Sequence, residues 1–281
     1  MTNQAIICDH RIGIGLRSPH IQDLLCTQPN IGWVEVHSEN WMCDQGPIAE
    51  RLQEICEKYP LSLHGVGLSL GSADGLNHHH LSKLTKLIER TQPILISEHL
   101  SWGSISGKHS NDLLPLPFNQ QAIELLVKHI DQVQQVIGRT ILIENISSYC
   151  SFNESTMPEW EFIQNIVEKA NCGLLLDINN VYVNAQNHGF SAQEYLSNIP
   201  WAKVAEIHLA GFEEEGTILV DTHGRPIQEP VWDLYIESLR NLPSSARTLI
   251  EWDSNLPPFE HLLIEAQKAN FYLQGINYVV A

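Results

Sequence analysis

Eight short, apolar, β-prone runs recur along this 281-residue chain at intervals of about 25 to 45 residues, at 12–16, 33–37, 61–66, 94–99, 140–144, 173–177, 203–209 and 247–251. Between them lie stretches with helical spacing, at 47–58, 81–90, 120–137, 159–170, 192–197, 231–242 and 258–269. Alternation of this kind calls for parallel strands, because each helix returns the chain to the same end of the sheet before the next strand begins. In 120–137, Ile123, Leu126, Val127, Ile130, Val133 and Ile137 fall at three-and-four spacing and form one buried stripe. Leu174-Leu175-Leu176 is apolar on both faces, as suits a parallel strand between a barrel interior and a helix layer. Eight such units predict an α/β fold, a single (β/α)8 TIM barrel occupying 1–281 as one domain, with a doubly wound open sheet as the alternative.

Acidic residues outnumber basic ones by 33 to 16, a formal charge of −17, which repels phosphate backbones and anionic membrane surfaces. Nucleic acid and membrane are therefore excluded as expected partners. The first 17 residues lack a basic segment followed by an apolar run, and no stretch of about 18 apolar residues follows. The expectation is a cytoplasmic protein. Its six cysteines form no CxxC pair and are expected to be free thiols. Long polar loops at 67–77, 101–111, 145–156, 179–191 and 211–229 are where function is expected. The apolar, β-prone segment 271–280 is expected either to dock a partner or to pack on its own barrel.

Six strands end on a metal-ligand type: His64, His99, Glu144, Asp177, His208 and Glu251. One such residue would be ordinary interior polarity, whereas six in the same register point to a common centre at one end of the barrel. Carboxylates packed together raise one another's pKa unless a cation neutralises them, and few lysines or arginines lie near these motifs. A metal is the expected counter-charge. The arrangement foreseen has Glu144 bridging two ions, with His64 and His99 completing one site and Asp177, His208 and Glu251 the other. Asp221 and His223, with the amide oxygen of Asn180, are candidates for a third ion. Glu35, His37 and Glu39 alternate along the second strand, Glu206 shares a face with His208, and His188 follows in a loop; these five are expected to orient ligands or substrate. The mixed nitrogen and oxygen set suits iron, manganese or zinc, and metal loss is expected as pH falls through about 6, where free imidazole titrates.

The motifs Leu63-His64-Gly65-Val66-Gly67-Leu68-Ser69, Ser97-Glu98-His99-Leu100-Ser101-Trp102, Glu144-Asn145-Ile146-Ser147, Asp177-Ile178-Asn179-Asn180-Val181, Ile207-His208-Leu209-Ala210-Gly211 and Asp221-Thr222-His223-Gly224 resemble those of the multinuclear non-heme iron-dependent oxidases of methanobactin-type pathways. The resemblance runs over nearly the whole chain. It implies a xylose-isomerase-like barrel holding two or three irons, mixed Fe2+/Fe3+ in the active form, with other divalent metals possible as purified. It further implies that dioxygen is used to modify cysteines of a ribosomally made precursor peptide, in places to a copper-binding heterocycle, with a small partner protein presenting the peptide. The ligand order also resembles endonuclease IV, a metal-dependent phosphodiesterase, where a histidine stands in place of Asn180. A xylose-isomerase-like sugar isomerase and a metal-storage protein are the remaining alternatives.

Overall fold

The structure, a computed structural model, describes residues 9–277. Eight parallel strands close into a barrel: β1 (Ile12–Gly15), β2 (Trp33–His37), β3 (Leu61–Gly65), β4 (Leu95–His99), β5 (Leu142–Glu144), β6 (Gly173–Asp177), β7 (Val204–Leu209) and β8 (Arg247–Ile250). Each pairs with its neighbour in sequence, and β8 closes onto β1 through Ile12 opposite Thr248. All eight expected strands are present, and the open-sheet alternative falls away because no edge remains unpaired in the barrel.

An outer layer of helices buries the apolar stripes. In Gln120–Ile137, Ile123, Leu126, Ile130 and Val133 are buried against the sheet, and Leu174, Leu175 and Leu176 of β6 are buried on both faces. The barrel's own interior is partly polar instead: Glu35, Ser62, Glu206 and His208 are fully buried, with the Ser62 hydroxyl donating to Glu35 Oε2 at 2.8 Å.

Several loops and ends differ from expectation. The stretch 179–191, read as a loop, begins with the helix Ile178–His188. Its sequence is rich in asparagine and β-branched residues, poor helix formers, but Asp177 caps it, Oδ1 accepting from the Asn180 N–H at 2.7 Å. The loop 101–111 is largely a hairpin, Trp102–Ile105 with Lys108–Leu114, and a second hairpin, Glu213–Glu215 with Ile218–Val220, occupies part of 211–229. The segment expected to be β-prone from 271 onward continues a helix, Phe259–Asn277. The stripe Phe259, Leu262, Leu263, Ala266, Ala269 and Leu273 stays buried at three-and-four spacing, so packing extends the helix past the β-prone composition. Residues 278–280 of that segment lie outside the described residues. Cys26, Cys43, Cys56, Cys150 and Cys172 are free; Cys8 lies outside the described residues. No helix among the described residues is long and apolar enough to cross a membrane.

Candidate metal centre

Strand register stacks the candidate ligands at the downstream end of the barrel. His37 stands opposite His64, His99 opposite Glu144, and Asp177 opposite His208. Because side chains alternate, residues in register on neighbouring strands turn to the same face, and here that face is the barrel mouth.

Glu144 lies at the middle of the group. Its Oε2 is 3.3 Å from His64 Nε2 and 3.1 Å from His99 Nε2, while its Oε1 is 3.4 Å from His208 Nδ1. His208 Nδ1 is in turn 2.9 Å from Glu251 Oε2. Two sets result, His64–His99–Glu144 and Glu144–Asp177–His208–Glu251, each with one donor atom per residue within 4.8 Å of the others. Donors bound about 2.1 Å from a common ion stand about 3–4 Å apart, so the spacing fits. Glu144 Oε2, Asp177 Oδ2, Asn180 Oδ1, His223 Nε2 and His208 Nδ1 are buried without a hydrogen-bond partner. Acceptors of this kind are rarely abandoned inside a protein, and a cation satisfies them together.

Neighbouring groups turn the imidazoles toward the cluster. His99 Nδ1 donates to the Gly65 carbonyl at 2.9 Å, which leaves the Nε2 lone pair facing Glu144. A side chain at Gly65 would fall on the Glu98 carboxylate, whose Oε2 accepts from the Leu68 N–H at 3.1 Å. His64 Nδ1 meets the Ser97 hydroxyl at 2.7 Å. His208 is held from below, Nε2 lying 3.2 Å from Glu35 and 3.5 Å from Glu206.

Past the strands, His223 Nε2 lies 2.7 Å from Asp221 Oδ1 and 3.7 Å from Asp177 Oδ2, and its Nδ1 is 3.3 Å from Glu251. Asp221 is tied down by Asn179 Nδ2 at 2.7 Å and the Ser147 hydroxyl at 3.0 Å. Asn180 donates to the Asn145 carbonyl at 3.1 Å, leaving its amide oxygen free. Asn180, Asp221 and His223 line the same cavity of about 410 Å3 as His64, His99, Glu144 and Glu251.

Two expected positions differ. Glu39 stands in the short turn Ser38–Trp41 beyond β2, where it accepts from the backbone N–H groups of Val66 and Gly67 and pairs with His80 at 3.3 Å. The strand ends at His37, so the alternation that placed Glu39 with Glu35 stops two residues before it. His188 ends the helix Ile178–His188, its Nε2 2.8 Å from the Ser148 carbonyl.

One basic residue does lie against the cluster, brought there from the start of the chain. Arg17, nearly buried, reaches Glu251 Oε1 at 2.9 Å and His37 Nε2 at 2.9 Å, and its Nε donates to Asp253 Oδ1 at 2.6 Å. Its partner is 234 residues away in sequence, beyond any local signal. Ser97 and Asp253 had one: each stands two residues from a candidate ligand, hence on the same side of an extended chain.

Charge is distributed unevenly. Burial and the neighbouring imidazoles of His99 and His208 push His64 well below the ordinary histidine range. Burial opposes charge on His99 too, but the Glu144 and Glu98 carboxylates outweigh it and raise it to about 9. Burial pushes Asp177 up, whereas at Glu251 the effect of burial is overcome by His208 and His223, which hold it well below the carboxylate range. Burial and the adjacent Glu35 raise Glu206 to about 8. Protons thus share out what a cation would neutralise.

The profile of the RiPP precursor modification enzymes MbnB/TglH/ChrH, which act on ribosomally made peptides, matches residues 11–274. A UPF0276 protein from Acaryochloris marina (strain MBIC 11017) is 47% identical over 261 residues, covering 93% of this chain and 94% of its own. Another, from Vibrio vulnificus (strain YJ016), is 46% identical over 268 residues, covering 94% and 92%. Among solved structures, a xylose isomerase domain containing protein from Salmonella typhimurium LT2 superposes with a TM-score of 0.61 at 14% identity, covering 95% of this chain and 98% of its own. Endonuclease IV from Thermus thermophilus gives 0.59 at 13% identity, covering 94% and 99%. At such identities these two show the fold alone, a xylose-isomerase-like barrel. The profile match and the relatives together go further: this chain belongs to the MbnB/TglH/ChrH family of RiPP precursor modification enzymes.

Proposed function

We propose that this protein is an iron-dependent oxidase that uses dioxygen to modify cysteine residues of a ribosomally made precursor peptide, working in the cytoplasm with a small peptide-presenting partner. The observation that carries the reading is the buried, hydrogen-bond-starved cluster around Glu144, opening into a cavity in a member of a peptide-modifying family. Residues 1–281 are read as one metal-binding barrel domain.

In this reading His64, His99 and Glu144 hold one ion, and Glu144, Asp177, His208 and Glu251 a second. Asn180, Asp221 and His223 are the ligands available to a third. Bound iron would supply affinity for a cysteine thiolate and one-electron chemistry with dioxygen. The chain supplies the geometry. Ser97 and Gly65 hold the rings of His64 and His99 so that their Nε2 atoms face Glu144. Glu35 and Glu206 hold His208 from the opposite side, and Arg17 fixes Glu251 while offsetting its charge. Leu113, Leu114 and Pro115 on one wall and Ser147, Ser148 and Tyr149 on another bound the space into which a peptide segment would bring its thiol next to the ligands.

The test is to purify the protein with iron supplementation, measure bound metal, and follow oxygen uptake with a cysteine-containing peptide. Two to three irons per chain are expected, falling below one in Glu144→Ala. Metal content unchanged in that variant would sink the bridging assignment, and a metal-loaded protein that never consumes oxygen with any thiol peptide would sink the oxidase.

A further inference from the structure

A second cavity, of about 340 Å3, adjoins the metal cavity and shares Pro115, Ser148 and Cys150 with it. Its walls are aromatic: Phe118, Phe152, Trp160, Phe190 and Tyr195 line it. The Trp160 and Tyr195 rings meet edge to face at 5.8 Å, and Phe190 stacks on Tyr195 at 5.9 Å. Into this box the helix Glu159–Lys169 brings the carboxyl of its first residue.

Glu159 has no counter-ion. Among the described residues no lysine, arginine or histidine pairs with it, and the polar side chain acting on it is the neighbouring Tyr195 hydroxyl, a neutral group that cannot balance its charge. An acid in the first turn of a helix ordinarily serves the exposed backbone N–H groups, yet no such bond to Glu159 is made, and Pro158 caps the helix without a side-chain hydrogen bond. Burial pushes the Glu159 carboxyl up to about 8, as expected of an acid lacking a local cation. His188, the other titratable ring lining the cavity, keeps its Nε2 on the Ser148 carbonyl.

We propose that this aromatic box is a substrate subsite that takes the cationic side chain of a lysine or arginine lying close to the modified cysteine in the precursor peptide. The proposal rests on the peptide-modifying reading above and names a specificity determinant for it. Aromatic faces attract an ammonium or guanidinium through their ring quadrupoles and accept its methylene stem by apolar contact. Glu159 and Tyr195 offer the oxygens such a head group needs, whereas a purely apolar side chain would leave the carboxylate beside the rings without a cation. The volume lies at the lower end of the range for small-ligand sites, about 300–1,000 Å3, and so suits one side chain. The shared wall lets a peptide present its thiol in the first cavity and a neighbouring side chain in the second. A net charge of −17 favours a basic peptide over an acidic one.

The experiment titrates the iron-loaded protein with n-butylammonium and with 1-butanol, following the Trp160 indole signal by NMR, assigned with Trp160→Phe. Butylammonium is expected to bind at least tenfold more tightly, and Glu159→Gln to erase that preference while leaving the alcohol unaffected. Equal binding of the two probes, or a preference that survives Glu159→Gln, overturns the site. Should Glu159→Gln fail to fold, the wild-type pair of probes decides, with Phe152→Ala expected to weaken butylammonium several-fold; an unchanged affinity in Phe152→Ala counts against the box. The peptide assignment is tested with N-acetyl-Lys-Gly-Cys-Gly amide against its norleucine analogue: a lysine preference supports it, and none overturns it. Bound iron and oxygen uptake are measured on the same samples. Cation preference without them would defeat the oxidase alone, and the converse result would defeat the subsite alone.

Discussion

The two sides of the metal centre are built differently. His64, His99 and Glu144 stand at the ends of β3, β4 and β5, pinned by ladder register and by Ser97 and Gly65. On the opposite side Asn180 lies on a helix, and Asp221 and His223 lie in a loop, held by side-chain bonds from Asn179 and Ser147 and by contact with Glu251. His223 also adopts a left-handed backbone, φ 44°, a conformation uncommon for non-glycine residues. A strand-borne ligand is placed by the sheet before any metal arrives; a loop-borne one is placed by contacts that the metal itself would strengthen. The first side is therefore expected to bind more rigidly than the second.

Glu144 belongs to both sets, so Glu144→Ala gives the largest effect, collapse of metal content as stated above. Arg17→Ala comes next. Leaving Glu251 buried without its cation is expected to cost the metal-free protein about 3–5 kcal/mol, read from urea unfolding, and clearly less once metal is bound, because an ion then replaces the lost charge. The same loss with and without metal would mean that Glu251 does not face an ion. Contrasting His99→Ala with Asp221→Ala sharpens the comparison further. The former is expected to remove a tightly held ion, and the latter at most one weakly held equivalent, seen by metal analysis before and after mild chelation. Identical release profiles would erase the distinction.

The pH dependence bears on the strand-borne side. His99 is raised to about 9, so at neutral pH a proton competes with metal for its Nε2. The loss of affinity expected from free imidazole near pH 6 is thereby moved upward: metal affinity should climb through neutrality toward about 9, with protons released on binding, as calorimetry in buffers of different ionisation enthalpy would detect. For the metal-free protein the sign is opposite. A histidine raised on folding contributes stability that is complete below its unfolded value of about 6.5 and is lost as pH rises through about 9. The smallest effect lies away from the metal. Glu159, raised to about 8 by burial, favours the folded state most below its unfolded value of about 4.3, and that contribution fades as pH rises through about 8. Glu159→Gln should flatten this part of a melting-temperature profile, and an unaltered profile would show the carboxyl to be solvated.

Much of this protein can be read from one dimension because the barrel converts strand order into spatial order. Alternating apolar runs fix eight parallel strands, and a polar residue recurring at their ends, from His64 to Glu251, must then meet its counterparts at one mouth, since every parallel strand points the same way. Tertiary structure alone decided the rest. It paired Arg17 with Glu251 across 234 residues, ended β2 before Glu39, made a helix of Ile178–His188 against its own propensities, and left Glu159 facing aromatic rings rather than a cation. Period and composition are local quantities that survive in the bare chain. Counter-charges, caps and cavity walls come from segments that approach one another only when the barrel closes, and no local pattern records them.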